Sequence, residues 1–294
     1  DKVSAELFPG FEQRRVVTRA GEVNLRLGGE GPPLVLLHGY PQTHVMWHRL
    51  APALAERFTV ICPDLRGYGD SAKPPGGAGH ELYAKRAMAR ELVEVMDSLG
   101  IGRFNLAGHD RGARVAHRLC LDFPERVRRA CVMDIAPTLT MYRQTDMAFA
   151  NAYFHWFFLI QPYDLPERMI GADPAGWLRH CLGAWGKSGM EVFDPRALAE
   201  YERCFDPAGI HATCEDYRAA ASIDLAHDEA DAAARIDCPL LVLWGDKGVV
   251  HRSYDVLAVW RAKAETVEGR ALPCGHFVPE EAPEETLAAL RAFF

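Results

Sequence analysis

One segment constrains the fold of this chain more than any other: an apolar run that leads through a Gly-x-x-x-Gly spacing into a helical pattern. The run is Phe104–Ala107, the glycines are Gly108 and Gly112, and helical spacing of apolar residues covers Arg111–Asp122. Such glycines relieve crowding where a strand turns tightly into a helix, and the turn exposes one side chain above the sheet. That side chain is Asp110. The alternative is an aspartate that caps an ordinary helix, but capping does not require the flanking glycines.

Other apolar runs recur along the chain. Each is bounded by turn residues, and they are Leu34–Leu37, Phe58–Cys62, Val127–Met133 and Leu240–Trp244. Runs that are apolar on both faces are typical of central strands in a parallel sheet. Residues 22–27 instead alternate between polar and apolar side chains, which predicts a peripheral antiparallel strand. The sequence therefore predicts an α/β fold with a mostly parallel, doubly wound sheet.

The segment from residue 138 to residue 217 has a different composition. It is rich in aromatic residues and contains no clear buried strand, and strand-like patterns resume only near Leu240. We interpret this segment as a helical cap inserted over the strand ends, with residues 1–137 and 218–294 forming the core. A continuation of the core sheet is the alternative.

Composition excludes several classes of function. The chain has 294 residues with 49% hydrophobic residues, as expected for a globular protein, and it lacks the run of about 18 apolar residues that spans a membrane. The net charge of −7 without a long basic cluster argues against a nucleic-acid partner. The eight cysteines are scattered without zinc-like spacing, so we expect reduced thiols and no metal site, with a structural disulfide as the alternative. The first ten residues show no secretory pattern, which favours a cytoplasmic location.

A carboxylate at the exposed turn position favours a particular chemistry. Asp110 needs no deprotonation to attack, so it can displace a leaving group at saturated carbon and become an alkyl ester. Hydrolysis of that ester needs a base, and His276, which precedes a predicted helix over Glu281–Phe294, is the candidate; a surface loop histidine is the alternative. An acidic partner should fix the imidazole tautomer. We predict Asp134, at the end of the strand that follows Asp110, with Asp246 as the alternative.

Together these motifs resemble the alpha/beta-hydrolase superfamily, and most closely the haloacetate dehalogenases that include fluoroacetate dehalogenase. The resemblance covers nearly the whole chain and rests on the Gly-His-Asp-Arg-Gly turn and on segments at Asp64–Ser71, Tyr153–Trp156 and Asp216–Ala220. It implies an alpha/beta-hydrolase fold with a helical cap and hydrolytic removal of halide from fluoroacetate or chloroacetate through an ester on Asp110. It implies no cofactor. The implied partners are a small halo-carboxylate and water, and a homodimer is a family-level expectation.

The resemblance also implies roles for two arginines. Arg111 directly follows Asp110, and Arg114 lies roughly one helical turn further on. Both are implied to bind the substrate carboxylate, because a guanidinium group can donate two N–H bonds to a carboxylate, a geometry that favours arginine over lysine. Surface salt bridges are the alternative.

The family match assigns halide binding to three aromatic residues, His155, Trp156 and Tyr217. Taken alone, each would be interpreted as core packing. Their ring N–H and O–H groups are donors that can stabilise a departing fluoride as its charge develops. Trp185 is a further candidate for the same pocket.

The loop His38–Pro41 resembles the oxyanion loop of this fold. The backbone N–H groups of Tyr40 and Arg111 are expected to hold the oxygen of the tetrahedral intermediate, and His38 is expected to be structural. Tyr40 and Cys274 depart from the family, in which Phe and Gly are frequent, and we expect Tyr40 to narrow or polarise the pocket entrance.

Two other functions are compatible with the same residues. An epoxide hydrolase uses the same triad and protonates the epoxide oxygen with cap tyrosines, for which Tyr142, Tyr153 and Tyr217 are available. A neutral epoxide, however, leaves Arg111 and Arg114 without a charge to bind. The second alternative function is that of a non-catalytic receptor on the same fold. The complete set of nucleophile, acid and base argues against it.

Overall fold

The computed structural model describes residues 2–294, apart from the side chain of Val3. Within this range the strands are Glu12–Thr18 (β1), Gly21–Gly28 (β2), Pro33–Leu37 (β3), Thr59–Pro63 (β4), Phe104–His109 (β5), Val127–Met133 (β6), Leu240–Gly245 (β7) and Val267–Leu272 (β8). They form one sheet in the order β1-β2-β4-β3-β5-β6-β7-β8. The pairs β1–β2 and β2–β4 are antiparallel, and the other neighbours are parallel. The predicted α/β fold with a mostly parallel sheet is confirmed.

Helices connect these strands. Those before β6 are Lys2–Leu7 (α1), Ala51–Leu54 (α2), Lys85–Ser98 (α3) and Arg111–Asp122 (α4). Those between β6 and β7 are Thr138–Arg143 (α5), Met147–Ala152 (α6), His155–Phe158 (α7), Leu165–Gly171 (α8), Pro174–Trp185 (α9), Pro195–Cys204 (α10), Pro207–Ala220 (α11) and Ile223–Ala230 (α12). Those after β7 are Val249–Ser253 (α13), Val256–Arg261 (α14), Val278–Glu281 (α15) and Pro283–Phe293 (α16). Short 3-10 turns lie at His44–Trp47, Glu81–Tyr83, Pro124–Arg126 and Met190–Val192. Across residues 2–294, no helix has both the length and the apolar character to cross a bilayer.

The predicted helical insertion is confirmed as the run of helices between β6 and β7. Helix α5 begins at Thr138, but α11 continues to Ala220, past the predicted limit at residue 217. The exact division into core and cap therefore stays a prediction.

The two edge strands β1 and β8 had no clear signal in the sequence. Both carry charged residues, and all but one residue of each strand lie outside the buried core. An edge strand contacts only one neighbour and leaves much of its surface to solvent, so it needs no continuous apolar run. The final helix was predicted over Glu281–Phe294. The structure instead has two helices, α15, which ends at Glu281, and α16, which begins at Pro283.

The parallel strands determine where chemistry can occur. Because β3, β5, β6, β7 and β8 run in the same direction, their carboxyl ends meet at one edge of the sheet. Tyr40 follows β3, Asp110 follows β5, Asp134 follows β6 and His276 follows β8. The insertion before β7 covers the same region. The fold thus gathers residues that are far apart in sequence.

Candidate active site

The turn between β5 and α4 holds Asp110 in an unusual backbone conformation. Its φ is 54° and its ψ is −123°, a combination that non-glycine residues rarely adopt and that marks functional sites. The flanking glycines are required by space. A Cβ atom on Gly112 would lie 2.3 Å from the carbonyl oxygen of His38, and one on Gly108 would lie 2.5 Å from that of Gly112.

The loop after β3 contacts the Asp110 side chain directly. A Cβ atom on Gly39 would lie 2.4 Å from Asp110 Cβ, and the Tyr40 backbone N–H donates to Asp110 Oδ2 at 2.8 Å. The N–H of Arg111, the other predicted oxyanion donor, makes no bond to this carboxylate within residues 2–294. Its role stays a prediction. His38 Nε2 accepts from the Leu65 N–H at 3.0 Å, and burial lowers the pKa of His38 to about 4, so this neutral imidazole links the loops after β3 and β4.

His276 lies between two carboxylates. Its Nε2 is 3.1 Å from Asp110 Oδ1, and its Nδ1 is 2.5 Å from Asp134 Oδ2. The other oxygen of Asp134 accepts from the Gly245 N–H at 2.9 Å. The structure therefore places Asp134 beside the imidazole, whereas Asp246 is exposed.

The electrostatics of this trio fix its protonation state. Burial favours a neutral imidazole, but hydrogen bonds to Asp110 and Asp134 outweigh it and raise the pKa of His276 to about 10. Burial opposes ionisation of Asp110, yet the hydrogen bond from His276 holds the pKa of this carboxyl well below its usual range. Burial raises the pKa of Asp134 despite the hydrogen bond from His276. At neutral pH the imidazolium thus lies between Asp110 and Asp134, and the ionised Asp110 is ready to attack without a base.

Arg111, the residue after the nucleophile, is fully buried. Its Nε and Nη2 lie 3.3 and 3.2 Å from the two oxygens of Asp216, and its guanidinium carbon lies 4.0 Å from the centre of the Tyr217 ring. Its third nitrogen, Nη1, is buried and has no hydrogen-bond partner among the described residues. One edge of this arginine is therefore already occupied by protein.

Arg114 likewise has some nitrogens that bond to the protein and one that does not. Its Nη1 donates to the carbonyl of Ala136 at 2.9 Å and to the hydroxyl of Thr138 at 3.0 Å, and its Nη2 lies 3.1 Å from the sulfur of Met141. Its Nε is buried without a partner in the described structure. Burial, together with the charge of Arg111, lowers the pKa of Arg114 to about 10. Arg111 Nη1 and Arg114 Nε are thus without partners among the described residues, and the binding of a substrate carboxylate by the two arginines stays a prediction.

Two of the three residues assigned to the halide lie together. The rings of His155 and Tyr217 are 5.6 Å apart, and both the Nδ1 of His155 and the hydroxyl of Tyr217 are buried without a partner within residues 2–294. Trp156 packs elsewhere in the same interior: its ring is 4.8 Å from that of Tyr142 and 4.8 Å from the Arg114 guanidinium carbon.

Trp185 and Tyr40 complete the aromatic wall of the site. Trp185 lies 4.1 Å from His155 and 6.0 Å from His276, measured between ring centres. The Tyr40 ring lies 5.2 Å from that of Tyr217, and its hydroxyl accepts from the indole N–H of Trp177 at 2.8 Å. Tyr40 therefore joins the loop after β3 to helix α9 of the insertion.

Comparison with known proteins identifies the fold family. Residues 32–283 match the family described as alpha/beta hydrolase fold. The chain belongs to this family. The match spans the Asp110 turn, Asp134 and His276, so the alpha/beta-hydrolase fold predicted from the sequence is confirmed.

Individual relatives of this alpha/beta hydrolase cover almost its whole length. A fluoroacetate dehalogenase from Burkholderia sp is 45% identical over 98% of this chain and 95% of its own. A soluble epoxide hydrolase from Corynebacterium sp. (strain C12) is 36% identical over 90% of this chain and 91% of its own. A solved structure from Nostoc sp PCC 7120, named an alpha/beta hydrolase, is 61% identical with a TM-score of 0.95 over 96% of this chain and 97% of its own.

Two charged residues at the site were missed by sequence reasoning. Asp216, in α11, holds Arg111, and Lys85, at the start of α3, forms an ion pair with Asp216. The segment that begins with Asp216 was recognised, but its aspartate received no role. For Asp216 the available signal was a charged residue within a helix that is mostly buried. Lys85 lies 131 positions away from Asp216, and the sequence contains no signal that connects the two.

One group of metal-type ligands occurs among the described residues. It consists of Asp70, Glu200 and Cys204. Arg203 already pairs with Asp70 at 2.7 Å and with Glu200 at 2.8 Å. A guanidinium group thus neutralises these carboxylates, and they contribute nothing to the triad.

Proposed function

We propose that this alpha/beta hydrolase is a haloacetate dehalogenase. Asp110 attacks the halogen-bearing carbon of a small halo-carboxylate and halide leaves. Water activated by His276 then cleaves the ester and releases a 2-hydroxy acid, with no cofactor. The observation that carries the proposal is the pair of buried arginines, each with one unpartnered nitrogen, next to an ionised nucleophile.

The first step follows from the ionised state of Asp110. One of its oxygens forms a bond to carbon while the electrons of the carbon–halogen bond leave with the halide. His276 and the Tyr40 N–H hold the carboxylate in place. The nucleophile needs no proton transfer, so this step depends on orientation and on stabilisation of the departing halide.

Recognition of the substrate carboxylate is proposed for Arg111 Nη1 and Arg114 Nε. A buried donor without an acceptor is costly, and two such donors on like-charged side chains favour an anion between them. A carboxylate has two oxygens and can accept one bond from each arginine. A neutral haloalkane would leave both donors unpaired.

Stabilisation of the departing halide is proposed for His155, Trp156 and Tyr217. Burial lowers the pKa of His155 well below its usual value, so its ring is neutral and carries one N–H donor. The Tyr217 hydroxyl is free to donate, and the Trp156 indole N–H is the third proposed donor. Because the charge of the halide appears only as the bond breaks, such donors lower the barrier rather than tighten substrate binding.

The second step requires a change in His276. Esterification removes the negative charge of Asp110, one of the two carboxylates that raise the pKa of His276. The pKa of the imidazole therefore falls, and His276 releases its proton to solvent. The neutral ring can then accept a proton from the attacking water. Asp134 then stabilises the imidazolium, and the Tyr40 and Arg111 N–H groups are the proposed donors to the oxyanion.

Halide release tests this proposal. Wild-type protein is incubated with fluoroacetate, chloroacetate and a neutral chloroalkane, and free halide is followed with ion-selective electrodes. Release from the haloacetates with none from the chloroalkane is expected. Equal release from chloroacetate and the chloroalkane would contradict the role of the arginines, and no release from any of them would contradict the function.

The second candidate function is epoxide hydrolysis with the same triad. It is favoured by the hydroxyls of Tyr142 and Tyr217, both buried without a partner in residues 2–294, since two phenols can protonate an epoxide oxygen. Conversion of styrene oxide to its diol, in the absence of halide release from haloacetates, would select this function. The homodimer and the cytoplasmic location also stay predictions.

A further inference from the structure

A buried network of charged groups contacts the Arg111 side chain. Its centre is Asp216, which is fully buried. Asp216 accepts from Arg111 Nε and Nη2 and from the hydroxyl of Tyr68 at 2.6 Å. Its remaining contact is an ion pair with the ammonium group of Lys85.

Lys85 is itself held in a fixed position. Its backbone N–H donates to Asp224 Oδ1 at 2.9 Å, and its ammonium nitrogen lies 3.1 Å from Asp224 Oδ2. The same nitrogen donates to the carbonyl of Tyr83 at 2.7 Å. Both the side chain and the main chain at this position are therefore anchored, and the charge of Lys85 has little freedom to move.

The contacts of Asp216 decide which part of Arg111 is available. A guanidinium group presents three nitrogens in one plane. With Nε and Nη2 bonded to Asp216, only Nη1 remains, and the Tyr217 ring lies 4.0 Å from the guanidinium carbon. Rotation of Arg111 would break two charged hydrogen bonds, so its orientation is set by Asp216.

The charges of Asp216 and Lys85 also determine how strongly Arg111 attracts an anion. Asp216 alone would cancel the positive charge of Arg111 and weaken its attraction for an anion. Burial opposes ionisation of Asp216, but the charges of Arg111 and Lys85 lower its pKa to about 2. Lys85 lies between Asp216 and Asp224 and offsets part of the charge of Asp216, so Arg111 keeps part of its attraction for an incoming carboxylate.

We propose that Asp216 and Lys85 are positioning residues for substrate binding: Asp216 orients Arg111 so that Nη1 meets the carboxylate, and Lys85 balances the charge of Asp216. This inference rests on the proposed function of Arg111. Neither residue touches the substrate. Their effect passes through Arg111, and it depends on the charge of the ligand.

The test is the variant Lys85→Met, in which KM is compared between a charged and a neutral substrate. KM for chloroacetate is expected to rise by about tenfold, since a unit charge is lost within the buried network. The kcat for chloroacetate, and KM for chloroacetamide, should stay within about twofold. Lys85→Arg keeps the charge and should restore a KM close to that of the wild type.

Controls separate charge from folding. Lys73 also bonds to backbone carbonyls, at Gly69 and Ser71, but not to Asp216, so Lys73→Met is the matched variant and should leave both KM values unchanged. The double variant Lys85→Met/Asp216→Asn also removes the carboxylate that orients Arg111, so it should not recover the affinity that Lys85→Met loses. If Lys85→Met does not fold, Lys85→Gln takes its place.

Acetate and acetamide binding, followed by thermal shift, distinguishes this inference from the proposed function. Acetate affinity should fall in Lys85→Met and acetamide affinity should not, whether or not the wild type releases halide. Equal losses for charged and neutral ligands, or a lower melting temperature with unchanged KM values, would overturn the inference. Absence of halide release from the wild type would count against the dehalogenase alone.

Discussion

The two sides of Asp110 differ in how completely their polar groups are paired. On the core side, His276 bonds to both Asp110 and Asp134, and Asp134 also accepts from Gly245. On the cap side, Arg111 and Arg114 each keep an unpartnered nitrogen within the described structure. A buried cationic donor without an acceptor is costly, and an anion that accepts from it removes this cost. The paired side is therefore suited to hold reacting groups in fixed positions, and the unpaired side to receive a ligand.

The largest effect is expected on the paired side, at Asp134. Asp134→Asn should lower kcat by about 10⁴-fold, because an amide favours the wrong imidazole tautomer and does not stabilise the imidazolium. Steady-state halide release from chloroacetate measures this loss. Asp246→Asn is the matched control and should stay close to wild type; a greater loss in that variant would show that Asp134 is not the orienting acid.

The next largest effect is expected on the unpaired side, at Arg114. Arg114→Leu should raise KM for chloroacetate and lower kcat/KM by about 1.5–3 kcal/mol, the value of a lost charged hydrogen bond. Arg114 is the cleaner site for this test, because Arg111→Leu would also remove one of the partners of the buried Asp216. Chloroacetamide provides the comparison. If wild-type protein turns over both substrates equally well, the unpaired nitrogens do not bind a carboxylate.

A smaller and more selective effect is expected at Trp156. Trp156→Phe keeps an aromatic ring beside Arg114 but removes the indole N–H. Turnover of fluoroacetate should fall more than turnover of chloroacetate, since fluoride is the poorer leaving group and relies more on donors in the transition state. Tyr217→Phe, which removes only a hydroxyl, is the parallel variant. Equal losses for the two substrates would mean that Trp156 only shapes the cap.

The last expected effect is on stability rather than on activity, and it depends on pH. The pKa of His276 is raised to about 10 in the folded protein, against about 6.5 in the unfolded chain. Its contribution to stability is therefore complete below about pH 6.5 and is lost as the pH rises toward about 10. The difference in unfolding free energy between wild type and His276→Asn, measured in urea, should shrink over this range. A constant difference would contradict the imidazolium between two carboxylates.

On the paired side, the sequence was sufficient to predict that Asp110, Asp134 and His276 lie together, because each is marked by a local motif or by its place in the order of elements. Asp110 lies in a turn whose glycines are required by contacts of 2.3 to 2.5 Å, and Asp134 and His276 each follow a strand. Parallel strands bring such positions to one edge of the sheet, so the order of elements was enough to gather them.

The unpaired side could be predicted only in part. Arg111 and Arg114 were identified from their position after Asp110, but their use of hydrogen bonds was not. Which nitrogen stays free depends on Asp216, Ala136 and Thr138, whose contacts arise only in the folded chain. Side-chain packing of this kind has no period or spacing in the sequence.

The edge strands give the same lesson at the level of the fold. β1 and β8 escaped prediction because exposed residues interrupt their apolar pattern, as in the sequence Val-Glu-Gly-Arg-Ala-Leu of β8. Burial on both faces made β5 and β7 recognisable, since all of their residues are buried.

The most direct test of the account is the fate of Asp110 in His276→Asn. Alkylation of Asp110 needs no base, whereas hydrolysis of the ester does, so this variant should release about one halide per active site from chloroacetate and then stop. Mass spectrometry of a protease digest should find a carboxymethyl ester on the peptide that carries Asp110. An unmodified Asp110 after a confirmed burst of halide would contradict covalent catalysis, and steady turnover by the variant would remove His276 from its role as base.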